Sequence, residues 1–136
     1  MQVKAPVWVP IEGWEAKRDE WVAAVDQIIT EAEAWAREQN WLVHRGSKTF
    51  TEDGLGTYDV PMLMMHCPQG ALSLDPGGYY PIGALVIDFR VYPSGETVRI
   101  LRAATGWQFV TDPPTRVLPW SKEAFLEIAL ELALKR

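Results

Sequence analysis

The sequence predicts an α+β fold: an antiparallel meander of five or six strands, with a long N-terminal helix and a C-terminal helix packed on one face. Three observations carry this reading. Tryptophans recur every seven residues near the N-terminus, short segments separated by glycine and proline turns fill the middle, and an amphipathic segment closes the chain. The length of 136 residues suits one domain, and an apolar fraction of 48% is that of a folded chain. A single domain over 1–136 is expected, divided into an extended arm at 1–12, a helix at 13–39, a sheet at 41–111 and a helix at 120–135.

Trp14, Trp21, Ile28 and Trp35 lie on one helical face, with Val25 and Ala32 at the four-residue offset. Lys17, Ala24 and Glu31 fill the third-offset positions, and two charges there argue against a coiled coil. At about 1.5 Å per residue this helix would run roughly 40 Å, against roughly 23 Å for a seven-residue strand. One end then overhangs the sheet or the helix bends.

The strands follow in order. Trp41–Arg45 and Lys48–Thr51 read as extended. Tyr58–Cys67 is apolar but contains Pro61, which cannot donate to a ladder, so an edge or a bulge is expected there. Ala71–Leu74 is a short strand broken by Asp75-Pro76-Gly77-Gly78. Ala84–Tyr92 alternates clearly, with Leu85, Ile87, Phe89 and Val91 on one face. Pro93-Ser94-Gly95-Glu96 is a hairpin turn into Thr97–Arg102, and Trp107–Thr111 is the last strand expected. Thr115–Pro119 is extended. Ser121 then caps the second helix, with Trp120 and Phe125 spaced as a hydrophobic staple.

The charge is uneven. The formal net charge is −5. Glu12–Asn40 holds eight acids against three bases, and the rest of the chain is balanced. Nucleic acid is therefore disfavoured as a partner, and the acidic helix is a surface that could steer a basic protein. No apolar run is long enough for a membrane helix, and Met1–Pro10 lacks the pattern of a secretory signal. A cytoplasmic location is the expectation. One cysteine, Cys67, and two histidines, His44 and His66, provide neither a disulfide nor a zinc site. His66 and Cys67 are neighbours on a strand and point to opposite faces, so they cannot pair for catalysis. No cofactor and no metal are expected.

Asp75-Pro76, Asp88 and Arg90 form a spaced acid, acid-x-base pattern that resembles metal-dependent nucleases. That resemblance implies Mg²⁺ on the two carboxylates and a small hydrolase with Asp75, Asp88 and Arg90 as its residues. Arginine replaces the usual lysine, however, and it stays protonated, so it cannot serve as a general base.

The hydrolase is the alternative; the function expected is that of a non-catalytic protein-binding module of adaptor, inhibitor or toxin-neutralising type, using an exposed sheet face and an aromatic loop. A two-residue hairpin tip would set Tyr92 opposite Thr97, Arg90 opposite Arg99 and Asp88 opposite Leu101. Like charges directly opposite are destabilising, so the arginine pair points to an acidic group on a partner. Tyr92 on that face, and Tyr79 and Tyr80 in the glycine- and proline-rich loop 75–83, add the aromatic anchors common in interfaces. A homodimer is the other association this reading leaves open.

Overall fold

The heptad-spaced stripe forms α1 (Trp14–Glu38) in the computed structural model, which describes residues 13–52, 56–77, 86–112 and 114–136. Trp21, Val25, Ile28, Ile29, Ala32 and Ala36 are buried, whereas Trp35 is only partly so. A straight helix drifts about 20° per heptad against a seven-residue repeat, so the buried stripe moves from Trp35 towards Ala36 at the far end. The buried Trp21 indole N–H has no acceptor among the described residues. The helix ends in a Schellman turn: Asn40 at φ +62° donates to the Arg37 carbonyl and Trp41 donates to that of Ala36.

Seven strands follow in a single sheet of order β1-β2-β3-β4-β5-β6-β7, every pair antiparallel. They are β1 (Leu42–Glu52), β2 (Gly56–Cys67), β3 (Gly70–Pro76), β4 (Val86–Tyr92), β5 (Thr97–Ala103), β6 (Gly106–Thr111) and β7 (Arg116–Pro119). The meander is as expected, but there is one strand more than the five or six anticipated. Thr115–Pro119 does not merely extend; Arg116–Pro119 pairs with β6 as the seventh strand. Its four residues end at a proline and suit an edge position. The two N-terminal extended segments merge into one eleven-residue β1. With β2 at twelve residues, roughly 40 Å, the long hairpin matches α1 in length and no overhang is required.

Pro61 behaves as a local edge. The β2–β3 ladder stops at Leu63↔Leu74, and continuing it would place Pro61 opposite Pro76, two residues without N–H groups. Asp75 and Pro76, expected to break β3, belong to it. Leu85, Tyr79 and Tyr80 fall outside the described residues.

α2 (Lys122–Ala133) begins at Ser121, whose hydroxyl accepts from the Ala124 N–H at 3.1 Å. The helix is shorter at both ends than 120–135. The staple forms, with Trp120 and Phe125 ring centroids 5.9 Å apart. Leu130 is exposed on the outer side of this helix. Both helices cover one sheet face. There, Leu63, Met65, Leu72, Leu74, Ile87, Phe89, Val91, Val98, Ile100 and Phe109 are buried against them. Phe125 stacks on Phe89 at 5.4 Å and meets Trp35 of α1 at 5.6 Å.

The acids of α1 are mostly engaged within the chain. Asp26 pairs with Arg45, Glu20 with Arg102 and Glu38 with Lys122. Glu31 accepts from the Trp120 indole N–H at 2.9 Å. Glu33 bonds to Arg37 at 2.8 Å and to Arg45 at 3.4 Å. Most of these carboxylates thereby tie α1 to β1, β5 and α2. These bonds also have a pH signature. The hydrogen bond from Arg37, partly offset by burial and reinforced by the charges of Arg37 and Arg45, lowers the Glu33 pKa below its ordinary 4.5. A carboxylate lowered in the folded state contributes stability that is complete above its unfolded pKa and lost as pH falls through the folded one. Urea unfolding of Glu33→Gln should thus show a deficit of up to about 1 kcal/mol at neutral pH that shrinks on acidification below 4.5. A deficit that persists unchanged in acid would show that the carboxylate charge is not what matters.

Candidate functional site

Strand alternation and an unbroken β1–β2 register put Lys48, Phe50, Tyr58, Val60, Ser73, Asp75, Asp88, Arg90, Tyr92, Thr97 and Arg99 on the sheet face away from the helices. This outer face was expected to be open, and its middle is not. Val60 and Ser73 are 0% exposed and Tyr58 is 7%. Phe50 and Tyr58 lie 5.8 Å apart, and the Lys48 ammonium sits 5.3 Å from the Phe50 ring centre.

The hairpin register differs from expectation by two residues. Arg90 faces Thr97 and Asp88 faces Arg99, because the turn closes between Val91 and Glu96 rather than at Ser94-Gly95 alone. A shift of two keeps every side chain on its predicted face but changes its neighbour. The two arginines are therefore diagonal, not opposed. The like charges that do stand directly opposite are Asp75 and Asp88.

Arg90 resolves that opposition. It donates from Nη1 to Asp75 at 3.1 Å, from Nη2 to Asp88 at 3.3 Å and from Nε to the Thr97 hydroxyl at 3.3 Å. Lys48 takes the other Asp75 oxygen at 2.6 Å. Hydrogen bonding to Tyr92, opposed by burial and joined by Asp75, raises the Arg90 pKa further above its already high ordinary value. The Tyr92 and buried Ser73 hydroxyls lie 3.1 Å apart. Arg90 is thus a structural cation with its donors committed inward, not the free anchor expected from sequence.

Arg99 differs. It is exposed and makes no ion pair or hydrogen bond among the described residues. It sits in a cross-strand row running Asp75, Asp88, Arg99, Val110, Val117. The next row runs Val86, Leu101, Gln108, Pro119. Val86, Leu101 and Val110 are half-buried and Val117 is 54% exposed, so Arg99 borders an open apolar strip. Sequence reading missed this strip, because Val117 joins the sheet only through the unpredicted β7. Lys48 was missed because it reaches Asp75 from 27 residues away.

The hydrolase residues are brought together, yet their geometry is that of a closed ion network. A guanidinium already bridges the two carboxylates where a metal would have to sit. Among the described residues, no group of three or more His, Cys, Asp or Glu side chains could hold a metal ion. A separate cleft of about 270 Å³ lies between β5, the end of β6 and α2, with the Arg116–Glu131 pair at 2.6 Å on its wall. No helix among the described residues is long and apolar enough to cross a membrane.

No family model, no curated protein and no solved structure matches this chain.

Proposed function

We propose that the protein is a non-catalytic protein-binding module that acts in the cytoplasm and engages its partner through the outer sheet face around Arg99. The observation that carries this reading is an exposed arginine with no ion pair or hydrogen bond among the described residues, beside an open apolar strip, on a face where Lys48 and Arg90 are paired internally. Arginine with a flanking apolar surface is the composition of an interface centre. The complementary partner surface is a carboxylate set among aliphatic or aromatic side chains. A free, half-buried thiol at Cys67 suits a reducing compartment. The competing reading, a small metal-dependent hydrolase on Asp75 and Asp88, requires the Arg90 guanidinium to leave both carboxylates. The binding module needs no rearrangement.

The test compares cross-linked capture from the native cell by the wild type, Arg99→Gln and Val117→Ser. Both variants are surface changes and should leave the melting temperature nearly unchanged. Each should weaken capture by about 1–2 kcal/mol, or roughly 5- to 30-fold. Normal capture by both, with capture lost on charge reversal at Glu15, Asp19 and Glu20, would move the interface to α1. Calorimetric binding of Mg²⁺ or Mn²⁺ that disappears in Asp88→Ala, accompanied by nuclease activity, would establish the hydrolase instead.

A further inference from the structure

The cleft between β5, the end of β6 and α2 holds a constellation of its own, on the helix side of the sheet and away from Arg99. Val98 of β5 and Leu132 of α2 form its floor, at 9% and 2% exposure, and Pro114 adds an apolar wall. Charged groups surround this floor. Arg116 and Glu131 neutralise each other at 2.6 Å. Three others are not neutralised in this way. Glu96, at the head of β5, and Lys135, just past the end of α2, have exposed side chains that make no ion pair or hydrogen bond among the described residues. Asp112, past the end of β6, accepts from the Thr115 hydroxyl at 3.3 Å through one carboxylate oxygen and keeps the other.

Two carboxylates and an ammonium therefore line one cleft without closing on each other. Held apart over an apolar floor, they offer an acidic end and a basic end to a molecule that enters. A few polar groups converging above apolar walls are the composition of a small-molecule site. We propose that the cleft binds a small zwitterion, an aliphatic α-amino acid. Its ammonium bonds to Glu96 and Asp112, its carboxylate bonds to Lys135, and its side chain covers Val98 and Leu132. Simpler ligands fit less well. Lys135 repels a lone amine, the two carboxylates repel a lone anion, and an inorganic ion leaves the apolar floor wet. The volume of about 270 Å³ lies below the range of pockets for drug-sized ligands and suits a molecule of this size. The charges are open to water, so the affinity is modest.

NMR titration of the full chain with L-leucine tests the assignment. Saturable binding with a Kd of about 1 mM or tighter is expected, with the largest shifts at the Val98 and Leu132 methyls. Isoamylamine lacks the carboxylate, isocaproate lacks the ammonium and glycine lacks the side chain. Each should bind about 10-fold more weakly than leucine. Lys135→Gln and Glu96→Gln alter exposed side chains, should leave the melting temperature nearly unchanged, and should each lower the leucine affinity about 10-fold. Glu127→Gln, on the same helix, and Arg99→Gln should not alter it, so the result is separate from partner capture through Arg99. The proposal is overturned if no saturable shift appears at these methyls. Isoamylamine or isocaproate binding as tightly as leucine, or leucine affinity that survives Lys135→Gln or Glu96→Gln, would sink it equally.

Discussion

Phe125→Ala should destabilise the protein by about 3–5 kcal/mol, measured by urea unfolding or, if too little folded state remains, by loss of the cooperative thermal transition. Phe125 is fully buried and joins all three parts of the fold. It stacks on Phe89 of β4 with an interplanar angle of 4°, and it meets Trp35 of α1, Trp41 before β1 and Trp120 at the head of its own helix. Truncation opens a cavity among rings on separate elements, which cannot collapse together without moving a helix off the sheet. Such a loss is a large share of the 5–15 kcal/mol typical of a domain. Phe125→Leu, which keeps most of the apolar volume, should lose only about 1–2 kcal/mol. Equal losses in both variants would mean that ring contacts, not filled volume, dominate at this position.

Arg90→Leu should lower stability by about 2 kcal/mol. It removes the guanidinium's charge-assisted hydrogen bonds to Asp75, Asp88 and Thr97 and leaves Asp75 facing Asp88 without the guanidinium between them. Lys48 still neutralises Asp75, and the site is partly open to water, so the effect stays well short of a fully buried broken pair. Adding Asp75→Asn to Arg90→Leu should recover at least half of the loss, because one of the opposed charges has gone. The deficit of the single variant should also shrink at high salt. Urea midpoints of the wild type, both single variants and the double variant decide the matter. A double variant no more stable than Arg90→Leu would show that repulsion between the carboxylates plays no part.

Local rules made much of this architecture readable. The two helices, the Ser121 cap, the Trp120–Phe125 staple and the inward set of β4 follow from periodicity and capping chemistry, which act within a few residues. So does the assignment of Asp88, Arg90, Tyr92 and Arg99 to one face, since a strand turns over every second residue. The tertiary structure alone decided which of these residues meet. The register of β4 on β5 depended on where the turn closed, and a two-residue difference put Thr97 instead of Arg99 opposite Arg90; the pairing of β3 with β4 made Arg90 the cation between two acids. Lys48 on Asp75, Glu31 on Trp120 and Arg45 on Asp26 each join positions at least nineteen residues apart, which no local pattern encodes. The seventh strand was hidden for the same reason: four residues ending at a proline have little strand signal of their own, and only the open edge of β6 gave them a ladder to complete.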